Sequence, residues 1–150
     1  MKIAIAADHG GFSLKQELLP LLKELGCEVS DLGAHTYNKT DDYPDFALAV
    51  ARAVSGKQTE RGIVICGSGV GASVASNKIR GVRASVCHDT YSARQGVEHD
   101  DLNVLCLGAR VVGVELAREL VKAFVNARFI QDERFLRRLR KLEAIESGQA

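Results

Sequence analysis

The chain has 150 residues, enough for one domain with a single well-buried core. Lys and Arg number 20 against 19 Asp and Glu, so no global charge directs the protein to nucleic acid or to a membrane surface. No stretch approaches the ~20 apolar residues of a membrane span and no basic leader precedes the first apolar run, so a soluble, cytoplasmic protein is expected.

In chain order, the apolar alternation predicts a first strand over residues 3–7, closed by Asp8-His9-Gly10-Gly11. Ser13 is the expected cap of the following helix, with Gln16 at the capping-box position and Gly26 as the stop. Pro20 inside that pattern predicts a kink or an early end. A second strand is expected over residues 28–32, and Pro44-Asp45 open a helix over 45–54 that ends near Gly56. The third strand, 62–66, ends in Cys66 and passes through a glycine-rich turn into a helix over 71–79. A strand over 82–87, a helix over 91–96, a strand over 103–107 and helices over 114–127 and 133–145 complete the pattern, with 146–150 as a fraying tail. Five short apolar strands alternating with helices imply an α/β fold, a parallel sheet covered on both faces. Such sheets bind ligands beyond the carboxyl ends of their strands, where Asp8-His9, Gly67 to Gly71, His88-Asp89 and Arg110 are expected.

Cys66-Gly67-Ser68-Gly69-Val70-Gly71 is the most informative segment. Its glycines allow backbone N–H groups to converge at the positive end of a helix, a setting that attracts anions and favours a thiolate at Cys66. The bland alternative is a cysteine that fills core space, the role expected of Cys27, Cys87 and Cys106; none of the four has metal or disulfide spacing. Asp8 and His9 offer proton transfer and phosphate contact, or else only a capped turn. His99, flanked by Glu98, Asp100 and Asp101, is either a proton-transfer group or a solvated loop residue. His35 and His88 have no chemical context and are expected to be structural or surface residues.

Arg110, Arg134 and Arg138 can clamp a phosphate, the last two sharing a helix face at i,i+4. The same helix is amphipathic through Phe135, Leu136, Leu139, Leu142 and Ile145, so it must bury a stripe, and a partner subunit could supply the cover. A rival reading takes Gly67, Gly69 and Ala72 as G-x-G-x-x-A, with Asp89 as a ribose-binding acid: a dinucleotide-binding module. The motif starts at the third strand, which leaves too little chain for a separate substrate domain, and no Gly-Lys-Ser/Thr is present, so a P-loop is excluded.

Ala7-Asp8-His9-Gly10-Gly11, Asp42-Tyr43-Pro44-Asp45, the Cys66 to Gly71 loop, Asn77-Lys78, Gly108-Ala109-Arg110-Val111-Val112-Gly113 and the closing arginines together resemble ribose-5-phosphate isomerase B, whose family also includes galactose- and allose-6-phosphate isomerases. The resemblance implies a Rossmann-like three-layer α/β/α sandwich on a five-stranded parallel sheet. It further implies a homodimer with shared sites, or a tetramer, that acts on a sugar phosphate without metal or organic cofactor. Cys66 would move the proton between C1 and C2 through a cis-enediolate; Asp8, Ser68 and His99 would serve oxygen proton transfer and ring opening. His9, Arg110, Arg134 and Arg138 would hold the phosphate, Tyr43 would line the substrate, and Gly67, Gly69, Val70 and Gly71 would supply N–H groups to the oxyanion. Two positions depart from the family pattern: Asp100 stands where asparagine is usual and Phe135 where histidine is frequent, which bears on the choice of sugar. A subunit active only beside a paralogue is a further alternative, against which the thiol of Cys66 speaks.

Overall fold

The computed structural model describes residues 1–150. Its elements are β1 (Lys2–Ala7), α1 (Phe12–Glu24), β2 (Glu28–Asp31), α2 (Tyr43–Ser55), β3 (Arg61–Cys66), α3 (Val70–Ser76), β4 (Ala84–Val86), α4 (Thr90–Asp100), β5 (Val104–Gly108), α5 (Val114–Asn126) and α6 (Glu133–Glu146). All strands are parallel, in the order β2-β1-β3-β5-β4, so the expected α/β fold with a five-stranded parallel sheet is present.

The two-residue period of a strand divides its side chains between two cores. Ile3, Ile5, Ile63, Ile65, Leu105 and Leu107 face α1, α4 and α5 in a cluster of 22 buried residues. The intervening Ala4, Ala6, Val64, Cys66, Val104 and Cys106 face α2 and α3 in a smaller cluster of 13. Small residues predominate on this second face, and α2 meets it with Ala47, Ala51 and Ala53. Cys66 thus lies at the end of a strand, on the thinner side of the sandwich.

Several element boundaries differ from expectation, among them α3, which ends at Ser76 rather than at 79, and β4, which covers Ala84–Val86 rather than 82–87. The cap of α1 is Gly11, not Ser13, because Gly11 lies flat on the end of β3, where a Cβ would sit 2.4 Å from the carbonyl oxygen of Ile65. Pro20 does not end α1, which continues to Glu24; it lies on the exposed face with Ser13, Gln16 and Glu17. α4 does not end at Gly96 but runs to Asp100, so His99 is helical rather than a loop residue. Gly96 is small for packing: a Cβ there would meet Leu102 Cδ2 at 3.1 Å.

Two buried cations tie the layers together. The guanidinium of Arg61 donates to the carbonyls of Phe124 and, at 2.8 Å, Ala127, which closes the carboxyl end of α5. Lys15, with a fully buried side chain, donates to Asp31 Oδ1 at 2.6 Å and to the Ala34 carbonyl at 2.8 Å. It anchors the strap of residues 32–42 that returns across the carboxyl ends of the strands to α2.

The contact at Gly11 predicts that Gly11→Ala is destabilised by about 2 kcal/mol or more, since the added methyl meets backbone and not a movable side chain. Gly113→Ala, where a Cβ meets nothing within 4 Å and only the cap of α5 is weakened, should cost about 1 kcal/mol or less. Thermal unfolding of both variants checks the pair; equal melting temperatures would contradict the packing described for Gly11.

Candidate active site

β1 and β3 are adjacent and in register, Ala7 opposite Ile65, so Asp8 and Cys66 leave the sheet side by side. β3 and β5 pair Cys66 with Gly108, which brings Arg110 to the same edge. Strand order reverses between β1 and β3, the switch point where α/β sheets open a crevice. A cavity of about 360 Å³ lies there, lined by Asp8, Tyr43, Cys66, Gly67, Ser68, Gly71, Arg110 and Val111.

The β3–α3 turn shapes this cavity. Gly69 has φ +80°, and a Cβ on it would lie 3.0 Å from the Leu107 carbonyl carbon, so both conformation and space require glycine. That turn directs the Gly69 N–H at Cys66 Sγ, 3.1 Å away, and the Val70 N–H at Ser68 Oγ, 3.2 Å away. The Ala109 and Arg110 N–H groups donate to the carbonyls of Cys66 and Gly67 at 2.9 and 3.0 Å, which locks the β5–α5 turn onto the thiol loop. Tyr43 covers the loop from α2, its ring so close to Gly71 that a Cβ would be 2.7 Å away.

Asp8 is buried, and its Oδ1 accepts from the N–H groups of Gly10 and Gly11 at 2.9 and 3.2 Å. His9 beside it is half-buried; its Nδ1 lies 2.7 Å from Asp41 Oδ1, which also accepts from the His9 N–H at 2.9 Å. The hydrogen bond to the Asp41 carboxylate raises the His9 pKa above its ordinary value. Ligand atoms of Asp8, His9 and Asp41 lie within 4.8 Å of one another, a spacing that a cation could bridge; here they are engaged with each other and with backbone N–H groups. Sequence reading did not single out Asp41: it stands far from His9 in the chain, and only the strap brings the two together.

The remaining expected site residues gather elsewhere. α4 carries the chain from the carboxyl edge of the sheet back to the amino edge, where β5 begins, so His99 and Asp100 at its end lie at the opposite edge from Cys66. Eleven helical residues span about 16 Å. His99 Nδ1 is 2.8 Å from the Gln95 side-chain nitrogen, and its ring stacks on Phe135 of α6 with centroids 4.1 Å apart. The Arg134 and Arg138 guanidiniums lie 4.4 and 6.0 Å from the same Phe135 ring. His99, Asp100, Arg134 and Arg138 thus form a second cluster, and none of them lines the Cys66 cavity. Phe135 is the single buried residue of α6, while Leu142 and Ile145 stay exposed.

The residues left aside by chemistry have structural tasks. His88 Nε2 accepts from the Gly108 N–H at 2.9 Å. Asp89, the acid required by the dinucleotide reading, caps α4 by accepting from the Ser92 N–H at 2.7 Å, a bond that holds its carboxyl below the usual range. Burial pushes the thiols of Cys27, Cys87 and Cys106 up, which keeps them protonated at neutral pH. Iodoacetamide at pH 7.5 should therefore alkylate Cys66, at the cavity, before Cys87 and Cys106; peptide mass mapping reads the order, and prior labelling of Cys106 would contradict it.

Residues 3–142 match the family described as Ribose/Galactose Isomerase. The chain is 47% identical to ribose-5-phosphate isomerase B of Escherichia coli K12, with 97% of this chain and 96% of that one covered. It is 39% identical to a D-erythrulose-4-phosphate isomerase of Pectobacterium atrosepticum, over 86% of this chain and 85% of the relative. Ribose-5-phosphate isomerase B of Clostridium thermocellum superposes with a TM-score of 0.94, at 49% identity and 100% coverage of both chains. Matched by the family over residues 3–142 and by these relatives over most or all of its length, the chain belongs to the Ribose/Galactose Isomerase family.

Proposed function

We propose that the protein interconverts ribose 5-phosphate and ribulose 5-phosphate, with Cys66 as the base that moves the proton between C2 and C1. The observation that carries this reading is the thiol of Cys66 at a strand end, its sulfur 3.1 Å from the Gly69 N–H, in a cavity shared with Asp8, Ser68 and Arg110. Aldose-to-ketose conversion removes a proton from C2, passes through an enediolate and returns a proton to C1, while O2 loses a proton and O1 gains one. Cys66 Sγ handles the carbon-bound proton, and Asp8 and Ser68 handle those on oxygen. The N–H groups of the Gly67 to Gly71 loop, at the start of α3, stabilise the oxyanion. No metal or organic cofactor is required for these steps.

The distance between the two clusters supports a homodimer with shared sites, the His99 cluster of one subunit completing the Cys66 cavity of the other. Symmetric pairing makes two such sites at once. The exposed Leu142 and Ile145 give α6 an apolar stripe for a partner subunit to cover. In the completed site His99 assists ring opening, and His9, Arg110, Arg134 and Arg138 bind the phosphate.

Cys66→Ala should lower turnover of ribose 5-phosphate by roughly 10²–10⁴ while retaining substrate binding. Changing Cys27, Cys87 or Cys106 to Ala should leave catalysis near the parent value. The assay needs no added nicotinamide and should be indifferent to chelators; full turnover by Cys66→Ala would remove the assigned base. Asp100, exposed at the end of α4, reads the sugar through an acceptor-only carboxylate in place of the amide usual in the family. Asp100→Asn should move the kcat/KM ratio for ribose 5-phosphate over allose 6-phosphate toward the pentose by about one decade or more. An unchanged ratio would mean that Asp100 does not touch the sugar.

A further inference from the structure

The strap between β2 and α2 carries Asp41 near its end, with a side chain only 10% exposed. One oxygen, Oδ1, meets both the backbone N–H and Nδ1 of His9, at 2.9 and 2.7 Å. The other, Oδ2, is buried with no hydrogen-bond partner. A buried carboxylate with one unsatisfied oxygen is costly unless a cation stands beside it. The nearest group able to carry that charge is the imidazole of His9.

We propose that Asp41 is a positioning residue that fixes the His9 ring and favours its doubly protonated form, so that its Nε2–H meets the phosphate of the substrate. The proposal rests on the reading that His9 contacts that phosphate. With Nδ1 held by Asp41, Nε2 is the ring nitrogen left without a partner in the chain. Its edge is available because the side chain is 31% exposed. Tyr37 of the strap closes on the ring edge-on, centroids 6.4 Å apart, and Tyr37 in turn rests edge-on against Phe12 of α1. These contacts fix the ring plane as well as the proton.

The groups that reach His9 all favour the imidazolium or leave it unopposed. Asp41 acts first, through its hydrogen bond, and Asp8 adds a second negative charge; partial burial opposes them, and the net displacement is upward. Tyr37 contributes a neutral ring edge. A folded pKa above the unfolded value of about 6.5 means that the His9–Asp41 pair stabilises the fold fully below that pH and fades as pH rises through the folded value. Over the window just above 6.5, a histidine without Asp41 is already losing its charge. A sugar phosphate is by then mostly dianionic, with its second ionisation near about 6. In that window Asp41 therefore determines whether a cation faces the dianion.

The test is a two-dimensional NMR titration of the His9 ring in the full-length protein, with Asp41→Asn and Asp41→Glu beside it. In the parent the midpoint should lie above 6.5; Asp41→Asn, which keeps the acceptor oxygen but not the charge, should lower it, and Asp41→Glu should restore part of the rise. Inorganic phosphate, titrated from pH 6 to 8.5, is the binding probe. Its affinity for Asp41→Asn should fall below the parent's, by up to about tenfold, as pH rises above 6.5, and converge with the parent near pH 6, where both imidazoles are mostly charged. With ribose 5-phosphate the loss should appear in KM more than in kcat. A parent midpoint at or below 6.5 overturns the proposal without any variant, as does phosphate affinity whose pH dependence ignores Asp41→Asn. Asp41-dependent phosphate binding in a protein that turned over no sugar phosphate would uphold this inference while ending the isomerase reading.

Discussion

The chemistry of the molecule depends on how closely three parallel strand ends and their turns can approach one another. β1, β3 and β5 finish level, and the turns that leave them cross at backbone-to-backbone distances that admit no side chain. A Cβ on Gly11 would overlap the Ile65 carbonyl at 2.4 Å, and one on Gly108 would sit 2.6 Å from the Ser68 carbonyl carbon. This contact holds the Cys66 turn rigidly between its neighbours, so that the Gly69 N–H meets the sulfur. Preorganised dipoles of this kind are worth more than mobile ones, because they need no reorientation as charge develops.

The same parallel topology limits what one chain can assemble. Each helix returns the chain to the amino edge before the next strand begins, so a residue at the end of α4 is displaced by the full length of that helix. His99 therefore cannot share a cavity with Cys66 of its own chain. The His99 cluster is nonetheless well built. Phe135 stacks on the ring, Gln95 bonds Nδ1, and two guanidiniums lie over the phenyl face, cation–π contacts that hold long side chains in place. Two preformed clusters on opposite edges, with an exposed apolar stripe on the last helix, are what the proposed dimer would join by symmetry.

Much of this was legible in the sequence because it is local. The alternation of strands and helices, the thiol followed by its glycine turn and the diglycine after Asp8 each depend on neighbours a few residues away. The failures have the opposite character. Gly96 reads as a helix stop when it is a packing requirement of Leu102, and with the helix cut short the Gln95–His99 pair at i,i+4 is invisible. Asp41 finds His9 only through the strap, and the strap is held by a buried Lys15 that hydropathy assigns to the surface. Asp89 looks like a ribose-binding acid because the spacing is right, yet a capping bond to Ser92 explains it fully.

The proposed division of the site between two copies is open to direct measurement. Cys66→Ala and His99→Asn subunits, each inactive as pure dimers, would be unfolded together and refolded so that mixed dimers form. One of the two sites in a mixed dimer has both an intact Cys66 cavity and an intact His99 cluster. An equimolar mixture should thus regain about a quarter of parent activity per subunit, from half the dimers having one good site each. Mixed dimers confirmed by native mass spectrometry but without recovered activity would show that each chain must supply both halves itself, contradicting the shared site.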